Sequence, residues 1–322
     1  MRKFIVILCI VFPFSQSLSG VGTTTYNFLK IGVGARPTSL GGAFTALANG
    51  VTAIYWNPAG CINSIYPEVS VNYNHYIAGI KKGYVAYVAP MSERTSVGIG
   101  LNYITIGDMV RTDKWGDSLG TFGSSGIEAT VSCARVIKAK VDYVKVESKM
   151  IETYEPILVV GGSIKGIYNS IYEYNSHAIA LDLGVLYRPK IENLKVGFCI
   201  QNLGVQTKPF DEEKENLPLN FKLGGAYSLM DEKLTASLDL NQCIDYRLVI
   251  CFGVEWFPLN LLSLRFGYNS TGADYKSGSE LDVLGGLSFG FGLIWKEFTF
   301  DYGLIPMVEL GSSNRISLSY KF

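Results

Sequence analysis

The chain has 322 residues, enough for one large domain or two ordinary ones, and 48% of them are hydrophobic. Lys plus Arg and Asp plus Glu each number 28, which excludes the strongly basic face that a nucleic-acid partner requires. Only 17% of residues are charged, against roughly 25% in a typical soluble domain, so part of the outer surface is expected to face something other than water.

At the start of the chain, Arg2 and Lys3 precede an apolar run from Phe4 to Phe14, followed by Ser17-Leu18-Ser19. This is the pattern of a secretory signal peptide over residues 1–19. Cys9 would leave with it. Cys61, Cys133, Cys199, Cys243 and Cys251 remain, scattered without CxxC or metal-like spacing, and are expected as free thiols. Beyond the signal no window of about 18 to 20 apolar residues lacks charge, so no membrane helix is expected.

Residues 20–66 are unlike everything that follows. Their centre, Gly32 to Gly60, reads GVGARPTSLGGAFTALANGVTAIYWNPAG. Thr38 or Ser39 can cap a helix whose apolar residues Leu40, Phe44 and Leu47 fall on one face, with Gly50 as its stop; a length of about ten residues is expected. The apolar run that follows ends at Trp56, and Asn57-Pro58 turns the chain.

From Glu68 onward the period is two. Val69, Val71 and Tyr73 oppose Ser70, Asn72 and Asn74; Leu234, Ala236, Leu238 and Leu240 oppose Thr235, Ser237, Asp239 and Asn241; Ile316, Leu318, Tyr320 and Phe322 oppose Ser317, Ser319 and Lys321. One face is apolar and the other polar or small. Such runs fall near 68–78, 83–90, 95–106, 126–137, 156–170, 176–188, 193–204, 219–230, 232–241, 246–257, 261–270, 280–290, 296–304 and 314–322, about fourteen in all. Most have the length that a tilted strand needs to cross a bilayer.

Tight turns such as Met230-Asp231-Glu232 alternate with the longer loops Gly107 to Ser125, Gln206 to Pro218 and Thr271 to Glu280, the asymmetry of an outer-membrane barrel. Lys138 to Glu155 is a charged insertion that falls by parity among the short turns, as a hairpin extension or a loop. Strand ends carry Tyr66, Tyr76, Tyr84, Tyr103, Tyr187, Trp256, Tyr268, Trp295 and Tyr302, as interfacial girdles would. The chain stops on Phe322 directly after a strand, and closing that strand on the first removes both sheet edges.

The expected fold is therefore all-β: a transmembrane antiparallel β-barrel of about 14 strands over residues 67–322, with residues 20–66 as an N-terminal hatch containing one short helix. A lumen of that size is too wide for its own inward side chains to fill, so the hatch is the expected filler. Inward parity also places the apolar Val249, Cys251 and Phe257 in the lumen. His75 and His177 lack Ser or acidic partners at a recognisable spacing, and Gly32-Val33-Gly34 fails the dinucleotide spacing at Pro37. No enzyme activity, cofactor or metal is expected. Gly161-Gly162 and Gly285-Gly286 read as strand bends or close contacts with the hatch.

The run from Phe28 to Gly60 resembles the N-terminal signature of the PorV/PorQ family of outer-membrane proteins, which is related to the FadL-type transporters of hydrophobic compounds. The closing NRISLSYKF, Asn314 to Phe322, resembles a terminal strand with a final aromatic residue. The resemblance implies that Asn57, Pro58 and Ala59 match the NPA motif that gates FadL-type hatches, with Leu40, Phe44, Leu47 and Trp56 packing the hatch. Tyr320 and Phe322 would form the signal for the barrel-assembly machinery. It implies a location in the cell outer membrane, contact with its lipid, and a hydrophobic ligand such as a long-chain fatty acid. The alternative it implies is a PorV/PorQ-like part in type IX secretion and surface attachment, with secreted protein cargo as partner.

Overall fold

In a computed structural model of the chain, fourteen strands close into one antiparallel barrel in which each strand pairs with its sequence neighbours and β1 pairs with β14. Residues 22–146, 149–275 and 277–322 are described; the signal-peptide reading over 1–19 lies outside them. The strands are β1 Glu68–His75, β2 Lys81–Ser92, β3 Thr95–Thr112, β4 Ser118–Val146, β5 Lys149–Ile171, β6 Tyr174–Tyr187 and β7 Leu194–Lys208. The second half comprises β8 Asn220–Leu229, β9 Leu234–Cys243, β10 Val249–Leu259, β11 Leu262–Asn269, β12 Leu287–Trp295, β13 Phe298–Pro306 and β14 Ser312–Lys321. The closing seam runs from Glu68 opposite Lys321 to His75 opposite Asn314. The barrel thus starts and ends at one rim, the near rim, and the opposite one is the far rim.

Alternation decides which side of the wall each residue takes. On β4 and β5, Val131 and Ile164 point outward, each 62% exposed, while their neighbours Ser132 and Ser163 face the lumen and bond to each other at 2.6 Å. Ser70, Asn72 and Asn74 are buried inside as the pattern predicts, with Val71 and Tyr73 outside. The wall is apolar outside and polar within, the arrangement a barrel needs when its outer surface meets hydrocarbon. Two expected girdle residues depart from this: Tyr84 faces inward, is buried, and donates its hydroxyl to Val51 O at 3.2 Å, and Tyr76 lines a cavity of the lumen.

Of residues 20–66, Ile65 and Tyr66 are exposed and the stretch 24–64 lies inside this wall. Its helical segments are α1, Ala35–Ser39, and α2, Ala53–Trp56, with 3-10 turns at Asn27–Lys30, Gly50–Thr52 and Pro58–Asn63. The helix expected from Leu40 to Leu47 does not form; that stretch is a series of turns. Gly41 and Gly42 take positive φ, 66° and 85°, which ends α1. Apolar spacing there reflects packing rather than helix: Leu40, Phe44, Val51, Ile54 and Trp56 form one buried cluster in the lumen.

One other expectation shifts, and one open alternative is resolved. The run 280–290 is a 3-10 turn at Glu280–Leu284 in the far-rim connection, and β12 begins only at Leu287. Leu281 and Val283 imitated strand alternation but are exposed. The described part of Lys138 to Glu155 forms a hairpin extension: β4 and β5 continue as a two-stranded ribbon past the last β3 partner, Thr95 opposite Arg135. At about 3.3 Å per residue the ribbon reaches roughly 30 Å beyond the near rim. Register shifts around Lys138 mark where it leaves the wall.

Candidate functional site

The hatch begins near the far rim and runs down the lumen. Thr25 N bonds Asn216 O at 3.0 Å, and the Tyr26 hydroxyl meets Ser176 Oγ. Lys82 then donates to the carbonyls of Phe28 and Ile31, Arg315 to that of Gly32 at 2.6 Å, and Gln201 to that of Tyr55 at 2.5 Å. A segment with little regular structure leaves its carbonyls unpaired, and long wall side chains satisfy them. Inside the hatch, Trp56 Nε1 donates to Val33 O at 2.9 Å and the Tyr55 hydroxyl to Leu29 O at 2.8 Å.

Lower down, the wall makes room by omitting side chains. Gly161, Gly184, Gly197, Gly224, Gly253, Gly267, Gly290 and Gly303 stand at inward positions on β5 to β8 and β10 to β13, and a Cβ on any of them would collide with hatch atoms or with the wall groups that hold the hatch. They form a belt in which Gly161 is opposite Gly184, Gly197 opposite Gly224, Gly253 opposite Gly267 and Gly290 opposite Gly303. The expected hatch contact of Gly161 is found, against Pro58 and Ala59. Gly285 and Gly286 instead abut Gly272 in a far-rim connection.

Asn57, Pro58 and Ala59 sit at this belt. Asn57 is fully buried; its amide donates to Thr45 O at 3.0 Å and Val185 O at 3.2 Å, and its Oδ1 accepts from Ala59 N at 3.2 Å. Leu40 presses on Gly253, and Phe44 stacks edge-on against Trp56 at 6.1 Å, while Leu47 is only partly buried. Tyr320 and Phe322 are elsewhere, outside the near rim, stacked at 5.0 Å. Truncating Asn57 to alanine strands buried carbonyls and is expected to weaken hatch seating by about 2–3 kcal/mol. Faster protease cleavage within residues 35–60, with the barrel still resisting unfolding, would register it.

Charged groups complete the seat, and composition gave no hint of them. Asp239 accepts from Phe44 N at 3.0 Å and Thr45 N at 2.8 Å. Arg36 of α1 forks onto Glu255, which also holds Arg265, itself on Asp301. Lys165 lies 2.7 Å from Asp182 and 3.5 Å from Glu128.

Near the far rim, Asp245 ties down the first hatch residues: Lys30 Nζ and Thr24 Oγ1 both reach Oδ2 at 2.5 Å, and Cys243 Sγ reaches Oδ1 at 2.9 Å. Burial alone would raise this carboxyl, but the bonds from Cys243, Lys30 and Thr24 hold it below the usual aspartate range. Because its folded pKa lies below the unfolded one, the tether is complete above the unfolded value and is lost as pH falls through the folded value. Hydrogen exchange over residues 22–30, corrected for intrinsic rates, is expected to accelerate only below about pH 4, and Asp245→Asn to reproduce that loosening at neutral pH.

Between the hatch and the far rim lies a cavity of about 400 Å³. Gly42 and Trp56 of the hatch form its floor, and Gln201, Asn220, Lys222 and Cys251 belong to its walls. Of the apolar inward residues expected on β10, Val249 and Cys251 line it, whereas Phe257 lies near the opposite rim, its N–H on Lys233 O. All five cysteines of the described residues are free thiols; burial among hatch atoms pushes that of Cys61 up to about 12.

Solved structures share this architecture. The toluene transporter TbuX of Ralstonia pickettii aligns with a TM-score of 0.62 at 13% identity, over 90% of this chain and 98% of its own. The toluene transporter TodX of Pseudomonas putida aligns at 0.59 and 12%, over 89% and 96%. A Pseudomonas aeruginosa FadL homologue aligns at 0.50 and 11%, over 86% and 95%. No curated protein matches in sequence. The model of the uncharacterised protein family UPF0164 matches residues 14–216, which take in the described hatch and the wall through β7. The chain belongs to that family.

Proposed function

We propose that this protein is a FadL-like outer-membrane barrel that binds hydrophobic small molecules, a class running from hydrocarbons to long-chain fatty acids, and passes them inward. The near rim then faces the periplasm and the cavity opens toward the cell exterior. The observation that carries this reading is the cavity itself: a pocket of about 400 Å³, within the range of small-molecule sites, whose floor is the hatch rather than the wall. A ligand resting there presses on a segment built of short turns that few regular hydrogen bonds stabilise, the kind of unit that shifts at low cost. Export by the leader of residues 1–19 and recognition of Tyr320 and Phe322 by the barrel-assembly machinery belong to the same proposal.

The ribbon of β4 and β5 favours a second reading, since transport has no use for an arm reaching into the periplasm. It would serve a PorV/PorQ-like role in handing on exported proteins. A deletion strain separates the two. Reduced uptake of a labelled hydrophobic compound, restored by the gene, supports transport; unchanged uptake together with loss of surface-attached proteins overturns it in favour of secretion.

A further inference from the structure

The β4–β5 ribbon leaves two sheet edges open. Pairing of β4 with β3 stops at Arg135 opposite Thr95, followed only by Val136 N–H on Arg94 O; pairing of β5 with β6 stops at Leu158 opposite Tyr187, followed only by Arg188 N–H on Ile157 O. Beyond these points, among the described residues, the two strands pair with each other alone, from Ala139 opposite Pro156 to Val146 opposite Lys149. Arg94 lies over the Tyr154 ring at 5.0 Å and steadies the base of the ribbon, yet Ile137 and Val141 remain 57% and 39% exposed. A two-stranded ribbon in water is marginally stable by itself, and each open edge is a template for one more strand.

Charge decides which strand fits. Residues 138–155 hold four lysines and four acidic residues, so one ribbon does not repel another. Lys138 and Lys140 stand on β4, and Glu155 stands on β5 directly opposite Lys140. Copies inserted in one membrane share its direction. Two β4 edges would therefore meet parallel with lysine beside lysine, whereas β4 of one copy meets β5 of the next antiparallel, with each Lys140 between two Glu155 side chains. Unlike charges side by side support a ladder and like charges oppose it. We propose that copies of this chain assemble through their ribbons, β4 of each pairing with β5 of the next over residues 149–155, beyond Pro156, which has no N–H to give. Such a head-to-tail contact, repeated about the membrane normal, closes into a ring of barrels. The wall above the ribbon suits close approach: at outward positions Ala129 is opposite Gly166 and Cys133 opposite Gly162. A Cβ on Gly166 would meet nothing within 4 Å and one on Gly162 only ordinary contacts, so the hatch does not require these glycines. The assignment holds under either reading of function above.

The test is cross-linking between two full-length variants, Lys140→Cys and Glu155→Cys, each in a Cys133→Ala background and each with its own affinity tag. They are co-expressed, and the membranes are oxidised with copper phenanthroline; a chain with neither added cysteine is the blank. A disulfide joining the two differently tagged chains is expected. Coupling only between like variants, or none, would overturn the proposal. Molecular mass in nanodiscs gives a second reading: the full chain is expected as an oligomer, and a chain with residues 138–155 replaced by Asn-Gly as a monomer whose heat-modifiable gel migration shows the barrel still closed. A monomeric full chain, or an oligomer that survives loss of the ribbon, would equally overturn it.

Discussion

Replacing Gly267 by valine is expected to leave the barrel closed and drive the hatch from its seat. A Cβ at this position would overlap Gly41 N and Leu40 C, which are backbone atoms that no rotamer change can move aside. Ordinary overpacking costs about 1–3 kcal/mol, and a backbone collision on this scale costs more unless one partner withdraws. The wall is not that partner, because β11 is laddered to β10 over Cys251 to Leu259 and to β12 over Leu262 to Tyr268. The hatch around Leu40 to Asn49 consists of turns held by side chains, so it yields first. Gly225→Val on β8 is the control, since a Cβ there meets nothing within 4 Å and points outward. In planar bilayers Gly267→Val should conduct ions where the wild type and Gly225→Val do not, and chymotrypsin should cut after Phe44. A hatch that stays protected in Gly267→Val would mean that the glycine belt does not seat it.

The belt also shows how far the chain could be read without coordinates. Strand number, closure and inward parity follow from alternation, because each outward residue must be apolar and each inward one small or polar. Alternation cannot say why an inward residue is small. Gly253 and Gly267 leave room for Leu40 and Gly41, whereas Ser132 and Ser163 simply bond each other. It also fails where a loop imitates a strand, as at Leu281 and Val283, and it leaves the ends of β4 and β5 open, because the charged run from Lys138 reads equally as a hairpin extension or a loop when it lies outside the wall. The hatch helix was misplaced for a related reason: Leu40, Phe44 and Leu47 have helical spacing, but Gly41 and Gly42 must approach the wall and take positive φ. Of the site, Asn57 and Trp56 were legible as a local turn and its apolar lead-in. Lys222, Asp239 and Glu255 were not. A charged residue at an inward position looks the same in sequence whether it meets water, a partner strand or the hatch.

Glu255 is where that missing information has its largest consequence. Its carboxylate is shared, with Arg36 Nε at 2.8 Å and a second Arg36 nitrogen at 2.7 Å from the hatch side, and Arg265 Nε at 2.7 Å from the wall side. Asp301 balances Arg265 at 2.7 Å, so two guanidinium groups face two carboxylates. Glu255→Gln removes the one carboxylate that Arg36 hydrogen-bonds among the described residues, leaving it the neutral Asn49 at 2.6 Å, the Phe44 ring at 5.2 Å and the new amide carbonyl. Stripping one partner from a buried pair costs about 3–5 kcal/mol, and here the stranded charge is on the hatch, which is expected to loosen. Arg36→Met should cost less, because Glu255 keeps Arg265. The double variant should be milder than Glu255→Gln alone, since the remaining Arg265 and Asp301 are balanced and no buried guanidinium is left over. Denaturant-dependent proteolysis of the hatch in the three variants measures the order. Simple additivity of the two single effects would show that Arg36 and Glu255 hold the hatch independently and that the shared carboxylate is not its clamp.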